Sequence, residues 1–68
     1  MKLTFDKETD TVYIKLSEKF VAESDEDKPG IIIDYDSEGN VVGMEILEAS
    51  KRIPDPFKFE YETTESDQ

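Results

Sequence analysis

Apolar and polar residues alternate along much of the first 50 positions, and this pattern predicts β-strands. Leu3 and Phe5 share one side of a first segment, and Val12, Ile14 and Leu16 share one side of a second. The polar run DKETD between them has the length and composition of a hairpin turn. Because a half-buried strand repeats every two residues, these two segments predict a β-hairpin.

The middle of the chain predicts further strands. Residues 31–35 (IIIDY) begin with apolar side chains on both faces, which is typical of an inner strand, and residues 41–47 alternate again. Residues 18–24 (EKFVAES) are a candidate for a short third strand. The acidic run at residues 23–27 predicts a solvated loop, since consecutive charged and hydroxyl side chains cannot pack into a core. Gly43, in mid-strand, indicates close approach by another group or a bulge.

A short helix is predicted over residues 47–53 (LEASKRI). Its apolar residues recur at helical spacing, and Lys51 and Arg52 suit the C-terminal end of a helix. Pro54 ends it, because proline cannot continue the backbone hydrogen bonding.

The tail has a different character. Phe57, Phe59 and Tyr61 alternate with charged residues, which is a strand pattern separated from the body by prolines 54 and 56. Three aromatic rings on one side of an extended segment seldom stay exposed together. We therefore predict that these three residues bind a partner: the chain's own sheet, a second copy, or a groove on another protein.

These elements predict an α+β protein that is mostly β. We expect a small antiparallel meander of about four strands with one short C-terminal helix, and the tail is a candidate for an extra strand. Residues 1–53 are expected to form a single compact sheet domain. Residues 54–68 are expected to form an extended tail that is disordered from about residue 63.

The stretch DYDSEGNVVGME, residues 34–45, nearly matches a calcium-binding loop. Asp34, Asp36 and Glu45 would supply ligands. A calcium loop of this type needs a helix on each side, but Pro29 and Gly30 precede this stretch and β-branched residues flank it. We therefore predict a hairpin turn and no metal, and keep the three acidic residues as remote candidates.

Composition narrows the function further. The chain has 68 residues and a net charge of -10, with no cysteine and no histidine. Disulfides and thiolate metal sites are thereby excluded, and the charge disfavours direct binding to nucleic acid or to anionic membranes. A basic partner would suit this negative charge, although solubility alone would also explain the acidic residues. A domain this small has a marginal core, so we expect a homo-oligomer.

No catalytic or cofactor-binding pattern is present. Five serines occur without a neighbouring histidine or cysteine, and there is no glycine-rich phosphate loop. We predict that the chain is not an enzyme and binds no cofactor. Without an apolar run of the ~20 residues that a membrane span needs, or a signal-peptide pattern, we expect a cytoplasmic location.

One resemblance emerges from the combination FDKExDxxYIxL and PGIIxDYDxEGNVVGxEILxASKR. Over about residues 2–53 the chain resembles the small bacterial and archaeal proteins grouped as domain of unknown function twenty-two eighty-three. The resemblance implies a compact sheet domain with one short helix and no established activity. It also implies a partner from a small toxin-like family, domain of unknown function forty-two fifty-eight, in suspected toxin–antitoxin pairs. The tail from Pro54 lies outside it.

Two functional hypotheses follow. The first is an acidic, non-enzymatic interaction module that binds a small basic protein, as an antitoxin would. The second is a self-associating structural homodimer with no foreign ligand. A calcium-binding or enzymatic domain remains a remote third.

Overall fold

The computed structural model describes residues 1–65 and contains five β-strands and one short helix. The strands are β1 (Lys2–Asp6), β2 (Thr11–Lys15), β3 (Glu23–Lys28), β4 (Ile31–Tyr35) and β5 (Val41–Ile46), and the helix is α1 (Ala49–Arg52). The mostly β class with a short helix is confirmed, with one strand more than the predicted number. No helix within residues 1–65 is long and apolar enough to cross a membrane.

All neighbouring strands are antiparallel, and their order in the sheet is β1-β2-β5-β4-β3. Strands β3, β4 and β5 form a meander, so the predicted meander is confirmed only in part. The β1–β2 hairpin joins that meander at β5, so the sheet as a whole does not follow chain order. The Leu16 amide donates to the Val42 carbonyl at 2.8 Å, which extends the pairing of β2 with β5 beyond the strand end. The two edges of the sheet are β1 and β3.

The pairing register sorts the side chains onto two faces, because residues opposite each other in a sheet lie on the same side. We call one side the apolar face. It carries Leu3, Phe5, Val12, Ile14, Ile31, Ile33, Met44 and Ile46. We call the other side the polar face. It carries Thr4, Tyr13, Ser24, Asp34 and Glu45, with Gly43 opposite Asp34.

Strand β3 corrects two predictions. The acidic run at residues 23–27 is part of a strand and not a solvated loop, and residues 18–22 of the predicted third strand lie outside it. The run is a strand because β4 provides an edge to pair with, and the Ser24 hydroxyl donates to the Asp34 carboxylate at 2.6 Å. All six residues of β3 are exposed, so an edge strand accommodates acids that a core could not.

The buried core is small for a chain of this length. Among the hydrophobic residues, only Val12, Val42 and Ala49 are buried within the part of the chain that the structure describes. The chain exposes 5714 Å², whereas a monomeric protein of 7.8 kDa typically exposes about 4,400 Å². Its radius of gyration of 13.7 Å exceeds the roughly 11 Å of a compact domain of this length. Part of this surface is apolar, since Leu3, Phe20 and Phe59 are each more than two-fifths exposed.

Helix α1 is held by the β1–β2 hairpin. Asp10 lies at the end of that hairpin with φ 55°, and its carbonyl accepts the Ala49 amide at 2.8 Å. Its carboxylate accepts the Ser50 amide at 3.0 Å and the Ser50 hydroxyl at 2.7 Å. Glu48, at the N-cap position of the helix, forms no side-chain cap of its own. The cap of α1 is thus supplied from 40 residues earlier in the chain.

Replacing Asp10 tests this tertiary cap. Asp10→Gly removes the carboxylate but also relieves the strain of a non-glycine residue at positive φ, so we expect the free energy of unfolding to fall by only about a few tenths of a kcal/mol. Asp10→Asn keeps one oxygen acceptor and should retain most of the stability. Chemical denaturation of the two variants measures the difference. An Asp10→Gly chain that is more stable than Asp10→Asn would show that the side-chain cap contributes less than the strain at positive φ costs.

Candidate functional site

The tail crosses the apolar face and does not extend the sheet. Prolines 54 and 56 lack the amide hydrogen that a strand would donate, and a turn follows in which the Lys58 amide donates to the Asp55 carbonyl at 3.2 Å. The Phe57 amide donates to the Asp55 carboxylate in the same turn. Residues 54–65 contain no strand, so the optional tail strand is absent there. The predicted disorder from about residue 63 falls partly on residues 66–68, which lie outside the described residues.

Phe57 docks on the first strand. Its ring meets the Phe5 ring edge-on, with centroids 5.2 Å apart and an interplanar angle of 89°. The Lys7 ammonium lies 5.4 Å from the centroid of the Phe57 ring. Such edge-to-face and cation–π contacts are favourable, and they fix where the tail begins to cross the sheet. The Phe57 side chain nevertheless remains 70% exposed.

Phe59 and Tyr61 continue across the same face and form a groove with the sheet. We call it the apolar groove; it is lined by Met1, Leu3, Ile14, Phe59 and Tyr61 and has a volume of about 380 Å³. The side chains of Phe59 and Tyr61 are 59% and 69% exposed. The predicted partner-binding aromatics thus lie together on the apolar face, with Phe57 beside Phe5 and the other two in the groove. Their binding role stays a prediction.

The three acidic metal candidates do not converge. The Asp36 carboxylate accepts the amides of Glu38 and Asn40, each at 2.9 Å, and Gly39 adopts φ 86°, so this segment is the hairpin turn that the sequence predicts. Asp34 is buried on the polar face beside Ser24. Within residues 1–65 no three acidic side chains are grouped so that they could hold a metal ion.

The polar face has a packed centre around Gly43. A methyl group on Gly43 would lie 2.7 Å from the Tyr13 hydroxyl and 3.2 Å from the Ile14 carbonyl oxygen. Both predicted explanations for this glycine hold, because the pairing of β4 with β5 also shifts register next to it. Burial raises the pKa of Tyr13, and the negative charges of Asp34 and Glu45 raise it further. The phenol is therefore neutral at neutral pH and is a poor nucleophile.

The segment of the sequence that forms the sheet matches a known protein family. Residues 2–50 match the family described as a protein of unknown function, DUF2283. The chain belongs to this family. Comparison with curated proteins found no match, and comparison with solved structures found none either. The DUF2283 match covers all five strands and ends inside α1, so Phe57, Phe59 and Tyr61 lie outside it.

Sequence reasoning missed further exposed apolar residues on this DUF2283 protein. Phe20 is 93% exposed on the connection between β2 and β3, and Leu16, Val21 and Val41 are each more than two-fifths exposed. The connection is anchored at both ends, since the Ser17 amide donates to Val42 and the Ala22 amide donates to Tyr35. The sequence signal for this exposure was that Phe20 and Val21 are adjacent, so they do not follow the alternation of apolar and polar residues that a half-buried strand has.

Gly43→Ala tests the close packing on the polar face. The added methyl group must displace the Tyr13 ring or the backbone of β2, so we expect a loss of about 1–3 kcal/mol in the free energy of unfolding. Adding Tyr13→Phe removes the nearest atom and should recover part of the loss in a double-mutant cycle. Urea denaturation of all four DUF2283 chains measures the coupling. Unchanged stability of Gly43→Ala would contradict the packing described here.

Asp36 makes stability depend on pH in a defined direction. The Asn40 and Glu38 amides hold the pKa of the Asp36 carboxyl below its ordinary value of 3.8. The contribution of Asp36 to stability is therefore fully present above that value and is lost as the pH falls through the lowered pKa. Asp36→Asn keeps an acceptor but cannot titrate, so its melting temperature should fall less than that of the natural chain between pH 5 and pH 2. Parallel curves would exclude this role.

Proposed function

We propose that this DUF2283 chain is a non-enzymatic interaction module whose apolar face binds a small basic protein, as an antitoxin binds its toxin. The observation that carries the proposal is the apolar groove. Phe59, Tyr61 and Leu3 line it, and each of these side chains is more than two-fifths exposed. Contiguous exposed apolar surface on a soluble protein marks a binding site more often than chance.

The uncovered area is of the size that a specific interface uses. The tail aromatics Phe57, Phe59 and Tyr61 are each more than half exposed, and at 150–250 Å² per ring they leave roughly 300–500 Å² of apolar surface. A standard interface buries about 800 Å² on each partner, of which roughly 450 Å² is apolar. The tail aromatics alone thus approach the apolar area that one partner supplies.

Charge favours a basic partner. Glu23 and Asp25 lie on the apolar side of the sheet at the β3 edge, opposite Tyr35 and Ile33. In the tail, Glu60 pairs with Lys58 at 3.7 Å, and Glu62 follows Tyr61 in the sequence. The whole chain carries a net charge of -10. A basic protein would be steered towards this face and held in register by its rim, whereas an acidic one would be repelled.

The polar side chains in and near the sheet favour a binding function over a catalytic one. Burial raises the pKa of Tyr13, and a raised pKa weakens a phenol as a nucleophile. The buried carboxylates of Asp34 and Asp36 are occupied by Ser24 and by turn amides. These groups stabilise the sheet, which leaves the apolar face as the candidate for function.

Self-association is the second candidate. A second copy would cover the same apolar surface, and the small core of Val12, Val42 and Ala49 would benefit from it. Two chains of net charge -10 repel each other, so this association should strengthen as salt screens the charge. Light scattering at tens of micromolar protein, in low and in high salt, distinguishes a homodimer from a monomer that binds only a basic partner.

The variant Phe59→Ser/Tyr61→Ser tests the proposed face. Both side chains are largely exposed, so the fold should persist by circular dichroism while partner binding weakens at least tenfold, as expected when aromatic anchors are truncated. Phe20→Ser is the matched control, because it removes an exposed aromatic away from the apolar groove. The bait chains are exposed to an extract of the source cells, and the captured proteins are identified and then purified for titration.

The expected outcome is one small basic protein retained by the natural chain and by Phe20→Ser and lost with Phe59→Ser/Tyr61→Ser. Retention that is equal for all three baits, or loss only with Phe20→Ser, would contradict binding at the apolar groove. A captured partner that is acidic would contradict the electrostatic part of the proposal.

A further inference from the structure

Strand β1 presents an open edge whose outward groups can be identified. Within residues 1–65, β1 forms backbone hydrogen bonds with β2 and with no other strand. The Leu16 amide points to β5. Backbone N–H and C=O groups point to opposite edges of a strand at successive residues, so those of Tyr13, three residues earlier, point to β1 and to its partner Thr4. The N–H and C=O groups of Leu3 and Phe5 therefore face outward and lack a strand partner.

The sequence of this edge is complementary to itself. Strand β1 reads Lys-Leu-Thr-Phe-Asp from residue 2 to residue 6. When two copies lie antiparallel about Thr4, Lys2 of each copy faces Asp6 of the other, and Leu3 faces Phe5. Opposite charges and apolar pairs directly across from each other both favour pairing. The Asp6 carboxylate uses one oxygen to accept the Glu8 amide at 2.9 Å, and its other oxygen makes no hydrogen bond among the described residues.

We propose that two copies of the chain associate through their β1 edges, antiparallel and centred on Thr4, to form one continuous ten-stranded sheet. In this register each Leu3–Phe5 pair exchanges both of its N–H···O bonds. The two-fold axis is perpendicular to the sheet, so the apolar faces of the two copies lie side by side. The apolar grooves, which border Leu3, then flank the junction.

Other registers fit less well. A slip of one residue would set Leu3 against Thr4 and continue the apolar face of one copy into the polar face of the other. A slip of two residues would centre the pairing on Leu3 or on Phe5, which removes the Lys2–Asp6 pairs. The register about Thr4 alone keeps the faces continuous and pairs both charges.

The opposite edge of the sheet cannot self-associate in this way. Strand β3 reads ESDEDK, so pairing two copies would bring four acidic residues of each copy into contact. The register of β3 against β4 also shifts between Asp25 and Lys28. Charged residues and bulges are the features by which edge strands avoid pairing. The two edges therefore differ, and β1 is the one suited to a second copy.

This inference rests on the self-association named above as the second candidate function, but it places the contact between two copies at the β1 edge and not at the apolar face. It is compatible with partner binding, because edge pairing leaves the apolar faces open. Its test must separate edge pairing from association through the apolar face.

Single cysteines provide that test, since the natural chain contains none. Thr4→Cys places two thiols on the two-fold axis with Cα atoms about 4.5 Å apart, which lies within the range that a disulfide spans. Lys2→Cys is the matched control on the same strand and face, where the offset along the strand separates the two thiols by roughly 13 Å. Both full-length variants are oxidised in a glutathione redox buffer at tens of micromolar and resolved on a non-reducing gel.

We expect at least tenfold more disulfide dimer from Thr4→Cys than from Lys2→Cys, and loss of this excess in urea. In the Thr4→Cys chain, Lys2→Asp should lower the yield severalfold, and the swap Lys2→Asp/Asp6→Lys should restore it. A dimer by light scattering without the Thr4→Cys excess would overturn edge pairing and leave self-association through another surface. A monomer without that excess would overturn both.

Discussion

A single sheet has an apolar side that must be covered, and the described residues of this chain leave that side partly exposed. The five strands use most of the family-matched segment, which leaves a four-residue helix and the tail to form a second layer. Only Val12, Val42 and Ala49 become buried as the hydrophobic core of the described residues. Burial of apolar area is the main favourable contribution to folding, so this shortage predicts a low stability of the isolated chain and is the physical basis of the proposed binding.

The remaining stabilising contacts compensate for the thin core. Asp10 caps α1 from the distant hairpin, Asp36 closes the β4–β5 turn, and Tyr13 packs over Gly43 on the polar face. Each satisfies backbone groups or fills space without adding a second apolar layer. Phe57 anchors the tail on Phe5, but Phe59 and Tyr61 remain mostly exposed, so the tail lines the apolar groove without closing it.

Local patterns predicted the strands that alternate and the turn at Asp36, because these depend on neighbouring residues. They could not predict β3, whose acidic side chains fold as a strand only because β4 offers an edge, nor the cap at Asp10, whose partner Ser50 lies 40 residues away. The order of the strands along the chain suggested a simple meander, but β2 pairs with β5, a strand that is distant in the sequence. The aromatic tail was recognised from its composition, whereas its path across the face depends on the turn at Asp55.

The heat-capacity change of unfolding tests the shortage of burial most directly, because it is proportional to the apolar area exposed when the chain unfolds. A fully packed domain of this length would give about 0.8–1.0 kcal/mol/K. Calorimetry on dilute, monomeric chain should give a value clearly below this range, and the value should rise when the chain is associated or bound to a partner. A dilute monomer that reaches the full range would show that the apolar face is already covered, and would contradict the account.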